Sequence, residues 1–102
     1  MTEQAGPDRN GPALLDIGRG RGALLLLCPA ELMRREIEVS PVGADQQRVH
    51  TEVLRRVWGG LTAHTAVFAE LSPGEYTVWG IDGTPRSRVT VQEGVVTQVD
   101  WR

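Results

Sequence analysis

From Ala13 to the C-terminus, apolar residues recur at every second position in short runs, and turn-forming residues break those runs about every eight to twelve residues. A period of two puts successive side chains on opposite faces of an extended chain, so each run can bury one face and wet the other. No stretch keeps a 3.6-residue apolar period beyond two turns of helix. The expected fold class is therefore all-β: a small antiparallel β-sandwich of about seven to eight strands, with at most one short helical turn.

The expected strands are Leu14–Ile17, Ala23–Cys28, Glu36–Ser40, Arg48–Val57, Leu61–Phe68, Glu75–Ile81, Arg88–Gln92 and Val95–Trp101. Ala23–Cys28 is apolar on both faces, which predicts a central, covered strand. In Arg48–Val57 the alternation puts Val49, Val53 and Val57 inward and His50, Glu52 and Arg56 outward. Gly59-Gly60 predicts a tight hairpin, with Trp58 opposite Leu61 and Arg55 opposite His64. Pro73-Gly74 predicts a turn, because Pro fixes φ and Gly tolerates positive φ. The last two strands are expected to form a hairpin across Glu93-Gly94, and Pro29–Arg34 a helical turn.

The chain has 102 residues, enough for one core and little else. Residues 1–12 carry two Pro, two Gly and no aromatic residue, and read as a disordered tail; residues 13–102 read as a single domain. The formal charge of −2 points to neither nucleic acid nor a membrane surface as partner. The six-residue apolar run ending at Cys28 is far below the ~20 residues of a membrane span. The polar N-terminus has no signal-peptide pattern, so the expected location is cytoplasmic. Cys28, the single cysteine, excludes an internal disulfide and reads as a buried small hydrophobe.

Within LSPGEYTVWGIDGTPRSRVTVQEGVVTQVDW, the pattern Leu71-x-Pro73-Gly74-x-Tyr76-x-Val78 precedes Val89-x-Val91 and Gly94-x-x-Thr97-x-Val99-x-Trp101. This third of the chain resembles the C-terminal half of carboxypeptidase-regulatory-like domains, small β-sandwiches of the transthyretin (prealbumin) type. The whole chain is also similar to short actinobacterial proteins of like length. The resemblance implies a non-catalytic accessory or contact module. The physics of the motif agrees: a Pro-Gly turn launches a strand whose Tyr puts its ring in the core and its hydroxyl on nearby backbone.

The residues specify no cofactor and no metal site. In the expected hairpin, His50 and His64 stand roughly 13–20 Å apart at about 3.3 Å per residue, too far to share a zinc that needs ligands at about 2 Å. None of Ser40, Ser72 and Ser87 lies in a Gly-x-Ser-x-Gly elbow. A hydroxyl–imidazole–carboxylate set from Ser40, His50 and Asp45 is the one arrangement that would make the chain a small ester or lipid hydrolase, phospholipase-like in type. The alternating Gly18-Arg19-Gly20-Arg21-Gly22 matches no phosphate-binding loop and reads as a turn.

Trp58 and Trp79 fall on the polar parity of their strands. They serve either as covers over a sheet or as a platform for a protein or a glycan. Trp101 alternates with Val99 and is expected to anchor the last strand in the core. The leading expectation is a protein-binding module contacting its unidentified partner through Trp58, Trp79, Arg56 and His50. A carbohydrate-binding module and the hydrolase are the alternatives. Edge strands leave a homo-oligomer open.

Overall fold

Eight strands stack as two four-stranded sheets in a computed structural model that describes residues 18–102, Trp58 by its backbone alone. The strands are β1 (Gly22–Cys28), β2 (Glu36–Pro41), β3 (Val49–Glu52), β4 (Leu54–Trp58), β5 (Leu61–Leu71), β6 (Gly74–Trp79), β7 (Pro85–Val91) and β8 (Val96–Asp100). Sheet A has the order β4-β5-β1-β8 and sheet B the order β3-β2-β6-β7. One 3-10 turn, Ala30–Leu32, follows Pro29 at its N-cap. The all-β sandwich expected from alternation is the fold observed. The expected tail and the expected strand at Leu14–Ile17 lie outside the described residues.

The core is made of one face from each sheet. Leu24, Leu26 and Cys28 of β1 meet Ile37, Val39, Tyr76, Val78 and Val91 of sheet B, with Ala66, Phe68 and Trp101 closing the cluster. β1 is central, as its two-faced apolar run requires: Ala23 and Leu25, on the outer parity, are as inaccessible as Leu24 and Leu26. The Tyr76 hydroxyl donates to the Ser72 carbonyl at 2.7 Å, while its ring is buried. That bond ties the crossing from sheet A to sheet B onto the strand it launches.

Two expectations about connectivity are corrected. Arg48–Val57 is not one strand. The chain changes sheets at Val53, whose backbone bonds back to Arg34 and Arg35 (Arg34 N to Val53 O 2.8 Å, Val53 N to Arg35 O 2.9 Å). Val53 is therefore fully buried, whereas Val49 (46 %) and Val57 (57 %) are exposed at the ends of strands in different sheets. Likewise β7 and β8 form no hairpin. Glu93-Gly94 carries the chain from sheet B to sheet A, where β8 runs parallel to β1 with Leu26 opposite Val99. The Gly94 N–H donates to Arg21 O and the Ala23 N–H to Val95 O, which fixes that crossing against the start of β1.

The Gly-Arg alternation acquires a physical reason here. Arg19-Gly20 forms a turn, with Gly20 at φ 74°. Gly22 has ordinary φ but no space: a Cβ there would stand 2.3 Å from the Gln92 carbonyl oxygen and 2.7 Å from Val91 Cγ1.

Candidate functional site

The outer face of sheet B collects most of the polar residues singled out in the sequence. Along β2, Ile37 and Val39 face the core, so Glu36, Glu38 and Ser40 face out. Glu38 pairs with His50 of β3 on one side and Trp79 of β6 on the other, which sets His50, Glu38 and Trp79 in one row across the sheet.

Trp79 lies on this outer face and is nevertheless only 7 % exposed. Its indole N–H donates to Ser40 Oγ at 2.9 Å. The Arg48 guanidinium lies over the ring at 3.7 Å from the centroid. Arg48 in turn donates to Glu38 Oε1 at 3.0 Å and, through Nε, to the Asp45 carbonyl at 2.9 Å. One arginine from the β2–β3 loop thus lids the tryptophan, neutralises Glu38 and pins its own loop. Of the two roles weighed for Trp79, the geometry provides the cover. An aromatic platform for a glycan needs an open ring face, which Arg48 occupies.

The hydrolase set is not assembled. Ser40 is fully buried beneath Trp79 and accepts its indole proton. His50 Nδ1 lies 3.4 Å from Glu36 Oε1 instead, on an exposed part of β3. Asp45 is exposed in the loop, and the contact it makes is through its carbonyl oxygen. The two histidines are in different sheets, His50 in β3 and His64 in β5. Among the described residues no group of three or more His, Cys, Asp or Glu side chains gathers to hold a metal. None of the described helices is long and apolar enough to cross a membrane.

The four residues expected to form one contact surface are split between two. His50 and Trp79 belong to sheet B. Arg56 and Trp58 belong to β4, the edge of sheet A, and the side chain of Trp58 lies outside the described residues. The β4–β5 hairpin has the register read from Gly59-Gly60: Trp58 opposite Leu61 and Arg55 opposite His64. Arg56 Nε donates to Thr65 Oγ1 at 2.7 Å, so a fully buried threonine holds it on the outer face of sheet A.

A second arginine–tryptophan pair joins β7 to the residue that follows β8. Arg86 lies 4.2 Å over the ring of Trp101, whose N–H donates to Ser87 Oγ at 3.1 Å. Trp101 is buried in the core cluster, as its alternation with Val99 requires. Neither arginine carries a sequence signal, since both approach their ring from a distant strand or loop. Three further arginines have acids beside them: Arg88 with Glu75, Arg34 with Glu52, and Arg102 with Asp100. Hydrogen bonds from Arg102 hold the Asp100 carboxyl down at about 2. A surface depression of about 410 Å³, lined in part by Arg21, Arg48, Ser72 and Tyr76, lies at one end of the sheets.

Cys28 is buried, and burial raises its thiol pKa above the ordinary value; the Ala66 backbone and the Arg86 charge oppose this more weakly. The native thiol is expected to react with an aromatic disulfide reagent about a hundredfold or more slowly than in guanidinium, because reaction waits on opening of β1. Equal rates in the two conditions would place Cys28 at the surface.

No protein-family model, no curated protein and no solved structure matches the chain.

Proposed function

We propose that this chain is a non-catalytic protein-interaction module on a β-sandwich of the transthyretin or carboxypeptidase-regulatory-like kind, and that it meets its partner along the β4 edge of sheet A. The observation that carries the proposal is the state of that edge. β4 ends the sheet, with no described strand beyond it. Val57 and Leu61 stand 57 % and 73 % exposed at its hairpin. An open strand edge with exposed apolar side chains is a template for another chain. Of the residues expected to make contact, Arg56 and Trp58 belong to this edge. His50 and Trp79 do not, and the Trp79 ring is spent under Arg48. The Tyr76–Ser72 bond supports the family resemblance, and the free Cys28 thiol suits a reducing compartment such as the cytoplasm.

The test is a photo-crosslinking residue placed at position 57 or, as comparison, at position 88 on the outer face of sheet B, irradiated in native lysate. A discrete adduct from position 57 and none from position 88 is expected. No adduct from position 57 would remove the edge as the contact surface.

A further inference from the structure

The β4 edge differs from the rest of the surface in its charge. From Val53 to Ala69 the sequence holds Arg55, Arg56 and His64 and not one carboxylate, in a chain whose formal charge is −2. On sheet B the outward arginines have acids beside them, Arg48 with Glu38 and Arg88 with Glu75. Arg55 and Arg56 meet no carboxylate among the described residues. Arg55 is exposed. Arg56 gives its Nε–H to Thr65 and keeps its four terminal N–H donors.

The two arginines also point to opposite faces. Arg56 shares the outer face with Leu54, which pairs with Thr65. Arg55 pairs with His64, and His64 with Cys28, so Arg55 lies on the face that packs the core further along the sheet. Val57, two residues on, shares that face and is exposed, so nothing described covers it at the edge.

We infer that the β4 edge accepts an extended acidic segment of another protein as an added strand, with two successive acidic residues flanked by β-branched ones. This deepens the proposed function and rests on it. A strand laid on β4 sends successive side chains to opposite faces, so adjacent carboxylates reach Arg55 on one face and Arg56 on the other. A polyanion lying on a single face would meet only one of them. A second copy pairing β4 antiparallel with β4, centred on Arg55 or Arg56, would set arginine against arginine, which is unfavourable across strands. Val57, on β4 itself, offers apolar area to a flanking residue.

The experiment titrates the full chain into fluorescein-labelled Thr-Val-Glu-Glu-Val-Thr and follows anisotropy at low and physiological salt. Saturable binding is expected. The dissociation constant should rise about tenfold when both Glu are Gln in the peptide, and about as much for the Arg55→Gln/Arg56→Gln protein. N-methylation at alternate peptide residues, which leaves its charge intact, should abolish binding, because the backbone ladder supplies the affinity. The two altered peptides test the inference on the unmodified protein, whatever the double variant does to folding. Absence of binding, equal binding of the N-methylated peptide, or a constant unmoved by either charge change would overturn it. So would sedimentation showing a dimer that the peptide cannot displace. If position 57 still crosslinks while the acidic peptide fails, the acidic-strand inference alone is lost; if both fail, the edge reading goes with it.

Discussion

Trp79→Ala is expected to lower unfolding stability by about 3 kcal/mol, the low end of what loss of a buried tryptophan costs. The ring is 7 % exposed although it stands outside the two-sheet core, so its removal empties a site that Arg48 and Ser40 wall in. Three losses add. The apolar area of the ring is gone, the Ser40 hydroxyl loses its donor inside a fully buried position, and Arg48 loses the surface it lies on. For a domain whose total stability is about 5–15 kcal/mol this is a large fraction, and it corresponds to a fall in Tm on the order of 15 °C. Trp79→Phe separates the contributions. It keeps an aromatic face under Arg48 and loses the indole N–H, so it should cost about 1 kcal/mol. Thermal and urea unfolding of the two variants measure both numbers. If Trp79→Ala unfolds with the native midpoint, the ring is no structural cover, and the case for a ligand platform on sheet B returns.

Gly22→Ala is the second large effect, expected at about 3 kcal/mol or somewhat more. The added methyl would stand 2.3 Å from the Gln92 carbonyl oxygen and 2.7 Å from Val91 Cγ1. The first of these atoms is backbone, at the point where the chain leaves sheet B to become β8, and it is tied down by neighbouring bonds from Gly94 N to Arg21 O and Ala23 N to Val95 O. The second belongs to a core residue 1 % exposed. Relief therefore requires the β7–β8 crossing to move away from β1, which weakens the β1–β8 pairing. Gly43→Ala is the informative comparison. Gly43 has φ 88° and open space around its Cβ, so alanine there meets backbone strain alone and should cost about 1 kcal/mol. Denaturation curves showing Gly22→Ala no worse than Gly43→Ala would mean that the crossing yields easily, contrary to the close packing seen.

How far the sequence reaches can be judged at particular residues. The hairpin across Gly59-Gly60 was legible to the register, Trp58 to Leu61 and Arg55 to His64, because two consecutive glycines specify a local turn and a turn sets the pairing of its own strands. The burial of Cys28, Tyr76 and Trp101 was legible for the same local reason, alternation with neighbours that had to be inside. The break at Val53 was not. Val49, Val53 and Val57 alternate without interruption, and the change of sheet there depends on bonds to Arg34 and Arg35, which belong to a different turn. Nor was the fate of Trp79 readable. Its outward parity was correct, yet whether an outward ring is bare or covered depends on Arg48, which arrives from another strand's loop.

Alternation, glycine pairs and the Pro-Gly turn thus carried the class of fold, most strand positions and the inward side of strands such as β2 and β6, since these follow from backbone geometry over a few residues. Which strands became neighbours, the parallel seating of β8 on β1, the arginine lids over Trp79 and Trp101, and the bare basic edge at β4 came from the packed molecule. Those features depend on where distant segments meet once two apolar faces have closed on each other, and a period of two carries no information about that meeting.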